Sequence, residues 1–377
     1  MPNRSNRSEA LDAVRGIAIA LVISLHHFGC PFGWTGPDLF FVLSGYLLGG
    51  TLIDQRDSAH YWQTFYIRRV CRILPLYWLF LIVVALTASL RLPIWRYLTF
   101  TQNLAWVSDG TQEAAPAGIT WSLAIEEQFY LVLPALVRFL PPAMLPRVLL
   151  GCAAGAPLWR LLLVACAGTW LPAYALLPSH ADALFGGAFL AWLARSQAHA
   201  TRGRSAILVA AMVSAVGLAV LAASNGIGPN SAAMALVGLS LIASIYLGVV
   251  ALAIWHVRCL PGWCKPLATL GVGAYAVYLS NDTIFGMIQN RWLALLATAA
   301  FAWMSWRTIE RPLINYARSR WRYQPRDRSS PGAPAGAVQS TAPSRSRVMC
   351  AAPAPSLRRA ETNAGYSVPS LAASVDS

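Results

Sequence analysis

Apolar runs of bilayer-crossing length recur along this chain, and no other feature restricts its fold so far. A membrane crossing takes about 20 residues. Runs near that length cover residues 13–31, 36–53, 74–90, 124–140, 147–168, 171–194, 205–223, 231–254, 267–287 and 291–309. The pattern predicts an all-α, polytopic membrane protein of about ten transmembrane helices, because a helix satisfies its backbone polar groups within one apolar segment. The second, sixth and ninth runs are interrupted by Gly45 and Gly49, by His180 and Asp182, and by Asn281 and Asp282, respectively. Composition agrees: of 377 residues, 56% are hydrophobic and 12% charged, too few charges to solvate two or three soluble domains.

A net charge of +14 would direct attention to nucleic acid in a soluble protein. Between membrane spans, the position of the positives sets orientation instead. With the N-terminus inside, Arg4, Arg7, Arg56, Arg68, Arg69, Arg72, Arg138, Arg195, Arg202, Arg204, Arg258, Lys265, Arg311, Arg318, Arg320 and Arg322 become cytoplasmic, while Arg91, Arg96 and Arg291 lie outside. An even number of spans then returns the C-terminus to the cytoplasm. The expectation is a multi-pass protein of a cell inner membrane with no nucleic-acid partner. Residues 1–323 should form one transmembrane domain, and residues 324–377, rich in Pro, Ser, Ala and Arg, a disordered cytoplasmic tail. The connection from about residue 91 to 123 is expected to cap or re-enter the bundle. Arg15, His26 and His27 in the first run fit a retained span rather than a cleaved signal. Seven cysteines without a CxxC pair or His/Cys ligand spacing predict neither a disulfide framework nor a metal site.

Ionisable residues within spans are costly and ordinarily face the bundle interior or a wet cavity. Arg15 and His26 stand eleven residues apart, which on a helix returns to nearly the same face roughly 16 Å further along. They line one interior stripe; the plainer alternative is a snorkelling Arg15 and a core His26. Asp38, near the start of the second run, either caps that helix or orients His26 from the adjoining one. Arg68, Arg69 and Arg72 make a compact cationic fork on a helix. They are either a positive-inside signal or a phosphate-binding patch for a nucleotide-bearing donor. Pro75 is expected at the beginning of the helix that follows. Trp121, Glu126, Gln128 and Tyr130 look like the aromatic and carboxylate lining of a sugar site, against acids simply favoured in a first helical turn. Glu126 and Glu127 point about 100° apart, so at most one of them faces a narrow site. His180 and Asp182, Tyr275, Tyr278, Asn281 and Asp282, and the Glu310–Arg311 pair are weaker signals.

These residues fall within LDAVRGIA with His26 following, GPDLFFVLSGYLL, FYIRRVCRILPLYW, TWSLAIEEQFYLVLP, SHADALFGGAFLAWL, AYAVYLSN and TIERPLINY, in that order. The ordered set resembles the integral-membrane acyltransferase family three, which includes O-antigen acetylases, nodulation-factor acetyltransferases and macrolide acyltransferases. The resemblance covers most of residues 9–316. It implies transfer of an acyl group, most often acetyl, from cytoplasmic acyl-CoA as co-substrate to a hydroxyl of a carbohydrate or glycosylated acceptor, with no permanently bound cofactor. It further implies Arg15 and His26 as the catalytic pair, and functional importance for Arg68, Arg69 and Arg72 and for the stretch from Trp121 to Tyr130. The chain departs from the family pattern at Pro37, where valine is usual, at His180, where arginine is common, and at Asn281, where histidine is common. Many relatives carry an esterase-like extension, and this tail is expected to hold none.

Attack of a sugar hydroxyl on a thioester needs a base for the proton and cationic or N–H donors for the oxyanion. Histidine suits the first role, since an imidazole ordinarily titrates near neutrality. Arginine suits the second. The expected assignment is therefore His26 as general base, Arg15 for oxyanion or donor contact, and Arg68, Arg69 and Arg72 for CoA phosphates. Asp38, Trp121, Glu126, Glu127, Gln128 and Tyr130 would bind substrate, the glutamates holding acceptor hydroxyls from the outer side. An acyl-His26 intermediate is a variant of this scheme. A transporter, with the same buried polar groups as a substrate or proton path, is the alternative, although it would not need an arginine fork. A polytopic scaffold would need none of the buried His, Asp and Glu.

Overall fold

A computed structural model describes residues 4–87, 90, 92–109, 116–257 and 259–324, with side chains from residue 9 onward. Arg91, Arg258, the side chains of Arg4 and Arg7, and all but the first residue of the expected tail lie outside the described residues. Every regular element among the described residues is helical. The helices are α1 (Arg4–Phe28), α2 (Gly36–Asp54), α3 (Tyr61–Thr87), α4 (Ile94–Leu98), α5 (Gln102–Asp109), α6 (Thr120–Phe139), α7 (Leu145–Ala167) and α8 (Leu171–Ala175). They continue as α9 (Ala181–Leu193), α10 (Ala200–Asn225), α11 (Leu239–Trp255), α12 (Lys265–Val272), α13 (Ala274–Met287), α14 (Arg291–Ser305) and α15 (Arg311–Arg320).

Among the described residues, six stretches are long and apolar enough to cross a membrane: Glu9–Phe28, Gly33–Asp54, Tyr61–Thr87, Leu145–Ala167, Ala200–Asn225 and Met234–Trp255. The remaining apolar runs are helical but interrupted or charged. Glu126, Glu127 and Arg138 all lie within α6. The run near 171–194 divides into α8 and α9, with a 3-10 turn, Leu177–His180, between them. The run near 267–287 divides at Gly273 into α12 and α13, and α14 continues through a π-helical turn, Trp306–Glu310, into α15.

The third run differs from expectation at its start. Pro75 does not open a helix; it sits inside α3, which already begins at Tyr61. A proline removes one backbone hydrogen bond, and the fourteen residues before it, Tyr61 to Leu74, contain no glycine or second proline to stop the helix. Arg68, Arg69 and Arg72 therefore ride on the same continuous helix as the apolar run.

Close helix packing brings the site together. At the α2–α9 contact a Cβ on Gly45 would stand 2.0 Å from Leu184 O, and one on Gly187 would stand 2.3 Å from Val42 O, so the two backbones touch directly. α1 and α12 meet in the same way, Gly16 against Leu267 and Gly271 against Asp12. At the periphery, α10 is apolar around its circumference from Ala206 to Ala223 apart from Ser214, and Met212, Val213 and Val216 are exposed by two-thirds or more, a surface that suits lipid rather than water. The connection before α6 packs into the bundle, as expected. Gln102 and Asn103 are fully buried, with Gln102 Nε2 donating to Thr120 O at 2.9 Å and Asn103 Nδ2 to Ala175 O at 3.0 Å. Residues 110–115 of that connection lie outside the described residues.

Candidate active site

Seven helices converge on a cavity of about 280 Å³, with α2 supplying Ser44, Leu48 and Thr51 among others and α12 supplying Gly271. α1 contributes Arg15, α3 contributes Arg69 and Arg72, α6 contributes Glu126 and Tyr130, α13 contributes Tyr275 and Tyr278, and α15 contributes Arg318. The charged residues of this wall are four arginines and a single glutamate. A second cavity of about 150 Å³ shares Leu48, Thr51, Arg69, Arg72 and Arg318 with the first and adds Arg68 and Tyr323. Together they form one passage lined by arginine.

Partners divide the work among these cations. Arg15 is paired with Asp12, one turn earlier on α1. Arg68 donates from Nε and Nη2 to Trp321 O at 3.1 and 2.8 Å and lies 5.0 Å from the Tyr323 ring centre, so it pins the chain after α15 as well as lining the second cavity. Arg69 keeps a buried Nε with no hydrogen-bond partner. Burial, and then the neighbouring Arg72 and Arg68, hold the Arg318 guanidinium below its ordinary pKa. Glu126 accepts from Ser44 Oγ at 2.7 Å and from Tyr130 Oη at 3.1 Å, which fixes its carboxylate among the arginines. Glu127 is not on the wall, in keeping with the 100° between adjacent helical side chains. Gln128 Nε2 donates to Phe100 O at 3.0 Å and to Asn103 Oδ1 at 2.8 Å, tying α6 to the buried connection.

His26 stands beyond this cavity rather than on its wall. Its Nδ1 lies 2.6 Å from Asp282 Oδ1 of α13, and the neighbouring His27 bonds Asn281 Oδ1 through Nε2 at 2.6 Å. Tyr278 lies one turn before Asp282 on α13, the helix that both lines the cavity and contacts His26. Its ring is on the cavity wall, and its hydroxyl lies 2.6 Å from Ser122 Oγ and donates to Ile119 O at 2.9 Å.

Asp38 is not beside His26. Its Oδ1 lies 2.8 Å from His180 Nδ1, and His180 Nε2 donates to Tyr174 O at 2.7 Å. The ring of Trp121 packs here, 4.6 Å from Tyr174 and 5.6 Å from His180 between centres. The turn that presents His180 is held by the fully buried Arg160, which donates to Ser179 O at 2.6 Å and to Asp182 Oδ2 at 2.9 Å, and also bonds Ser240.

Residues 8–309 match the family model for an acyltransferase domain. The chain belongs to that acyltransferase family. It is 25% identical over 355 residues to the peptidoglycan O-acetyltransferase OatA of Listeria monocytogenes, an alignment covering 81% of this chain and 56% of that protein. It is 33% identical over 165 residues to the O-acetyltransferase OatA of Staphylococcus aureus, covering 36% of this chain and 26% of that protein. The matched region thus spans about half, or less, of the length of these relatives. No solved structure matches the chain.

Within this acyltransferase domain the structure joins Arg15, Arg69, Arg72, Glu126 and Tyr130 around one space, with Arg68 at the adjoining cavity. It separates from them His26, Asp38, Trp121, Glu127 and Gln128. Two contributors to the site carried little sequence signal. Arg318 read only as one more cytoplasmic positive, and Asp282 only as an interruption of an apolar run. The unusual depth of a carboxylate in that run was the available clue to Asp282; its partner was not readable.

Proposed function

We propose that this protein is a membrane O-acyltransferase that moves an acetyl group from cytoplasmic acyl-CoA to a hydroxyl of a cell-envelope carbohydrate. The observation that carries the reading is the cavity wall of four arginines against one glutamate. Buried positive charge in such excess calls for an anionic ligand, and guanidinium groups suit phosphate oxygens. CoA supplies those phosphates. Arg68, Arg69, Arg72 and Arg318 receive them, Arg15 contacts the CoA moiety, and the pantetheine arm carries the acetyl group along the same stripe toward His26, which takes the acceptor proton. Glu126 and Tyr130 meet the donor inside the cavity. Asp38 and Trp121 form the buried polar and aromatic ground beside the acceptor route, which Glu127 and Gln128 support through α6. The name of the Listeria relative specifies peptidoglycan, and a cell-wall glycan is accordingly the acceptor class proposed here.

The same proposal includes topology. The helices long enough to cross, together with α6, the α8–α9 and α12–α13 pairs and α14, make ten passes of one domain over residues 1–323, in an inner membrane with both termini cytoplasmic. The arginine passage then opens to the cytoplasm and His26 lies toward the outside.

Membranes containing the full chain, given radiolabelled acetyl-CoA and extracted cell-envelope glycans, should yield label in an alkali-labile ester, and His26→Ala should abolish it without loss of membrane insertion. Wild-type turnover by the His26→Ala protein would refute the base assignment. A transporter reading draws on the broken α8–α9 and α12–α13 segments, a device that transporters use at binding sites; solute uptake into vesicles with no glycan labelling would favour it.

A further inference from the structure

Two histidines of this chain face a carboxylate through Nδ1, and they differ at the other nitrogen. His180 meets Asp38 at 2.8 Å, but its Nε2 is committed to Tyr174 O. A ring nitrogen facing a carbonyl must carry a proton, so this imidazole has no free lone pair to offer there. The side chain is also fully buried. His26 meets Asp282 at 2.6 Å, and no described residue bonds its Nε2. Its side chain is 26% exposed and that of Asp282 is 10% exposed, so the pair is reachable while its carboxylate is mostly shielded. We infer that Asp282 is the positioning residue for His26, holding the proton on Nδ1 so that the Nε2 lone pair faces the acceptor hydroxyl. This rests on the acyl-transfer reading and adds to it the group that makes the base competent.

The chemistry follows from the inventory of an imidazole. A neutral ring carries its one proton on either nitrogen, and a carboxylate, which only accepts, selects the Nδ1–H form. Nε2 removes the hydroxyl proton as the acceptor oxygen forms its bond to the acetyl carbonyl carbon. The carbon–sulfur bond then breaks, and the CoA thiolate leaves and takes that proton from Nε2–H. Acceptor and acetyl-CoA become the acetyl ester and free CoA, and His26 returns to its starting form. Asp282 stays ionised throughout and stabilises the imidazolium between the two steps. Asp282 lies on α13 one turn beyond Tyr278, so the helix that lines the donor cavity also aims the base. The polar neighbours at this end are few. His27 adjoins on α1 and is bonded to Asn281, Tyr278 is on α13 and Arg291 begins α14. Asp38 of α2 is engaged by His180, and Tyr246 of α11 by Thr35. Asp282 is the only carboxylate that contacts His26 among the described residues.

The test is Asp282→Asn, with Asp282→Glu as the conservative variant, in membranes given radiolabelled acetyl-CoA and extracted cell-envelope glycans. An amide presents either a donor or an acceptor to Nδ1 and cannot stabilise the imidazolium. Asp282→Asn should therefore lose about 100-fold or more in kcat, the scale of general-base catalysis, with the KM for acetyl-CoA unchanged. Its acid limb in the pH–rate profile should move to lower pH, because the charged ring has lost its carboxylate. Asp282→Glu should recover a large part of the rate and restore the limb. A purely structural role for Asp282 would lower the amount of active protein at every pH and leave the limb where it was, and that outcome overturns the inference. So does an Asp282→Asn enzyme within about threefold of wild type, and in that case the acyl-transfer reading stands. No labelling by the wild-type protein overturns both.

Discussion

A guanidinium without a carboxylate beside it is the characteristic residue of this molecule. On the cavity wall, Arg69, Arg72 and Arg318 share the field of Glu126, whereas Arg15 has Asp12 to itself. Charge reversal at Arg69 or Arg72 is expected to raise the apparent KM for acetyl-CoA by about tenfold or more, the worth of one hydrogen bond to a charged group. Initial rates across donor concentrations measure this, and an unchanged donor dependence would leave these arginines only a topological role. Arg318→Ala should act in the same direction. Arg318 is held below its ordinary pKa by burial and by Arg72 and Arg68, but arginine starts so far above neutrality that it stays charged. The donor KM should accordingly stay flat across neutral pH. At this scale the sequence was readable for cations and poor for partners. Arg15 and the α3 fork stood out because they are charged residues in or beside apolar runs. Spacing along one helix says which residues share a face, but not which helix that face meets, so the sequence points to Asp38 as a partner for His26 and not to Asp282. Their sequence distances from it, one short and one long, carried no warning. Glu126 was expected among acceptor hydroxyls and lies among the arginines, because only the tertiary fold sets how deep along α6 the cavity reaches.

Elements carry the next layer. The bundle holds its registers by backbone contacts at small residues, so bulk at those positions has nowhere to go. Gly45→Leu or Gly187→Leu should separate α2 from α9, and with them the Ser44 bond to Glu126 and the Asp38 bond to His180. The expected result is a large loss of thermal stability in detergent together with activity. Arg160→Ala should cost about 3–5 kcal/mol, because it leaves Asp182 as a buried charge without its partner; a thermal melt of the purified protein measures it. Arg160→Met combined with Asp182→Leu should recover much of that stability, since removing both charges removes the desolvation penalty as well. Helix existence was legible from apolar runs, and the three interrupted runs were flagged by their glycines and polar residues. The sixth is broken beside its His180, whereas the ninth breaks at Gly273 and stays helical through Asn281 and Asp282, and α2 is continuous through Gly45 and Gly49, where its glycines serve packing. The early start of α3 was hidden because an arginine-rich amphipathic stretch and Pro75 both imitate a boundary.

At the scale of the whole molecule, the proposed function has its two reactants arrive from opposite faces of a membrane. Single cysteines placed at Ser196, between α9 and α10, and at Ser224, at the far end of α10, should react with impermeant thiol reagents from opposite sides, the first from the cytoplasm. Reaction of both from one side would contradict the ten-pass arrangement. Positive-inside counting gives this arrangement as a proposal from sequence, while six helices among the described residues are long and apolar enough to cross.

The Tyr278 hydroxyl, bonded to Ser122 and Ile119, acquires a second significance in that setting. On the proposed topology, with the arginine cavity open to one compartment and His26 to the other, the protein must also insulate one from the other, or it would discharge the membrane it works in. Tyr278 lines the cavity and sits one turn before Asp282, the carboxylate that His26 contacts. Tyr278→Gly in sealed vesicles should therefore raise passive proton leakage, read by a trapped pH dye, even with no donor present. The same tyrosine would have to yield for each acetyl group that crosses, so that turnover and electrical tightness are set by a single side chain.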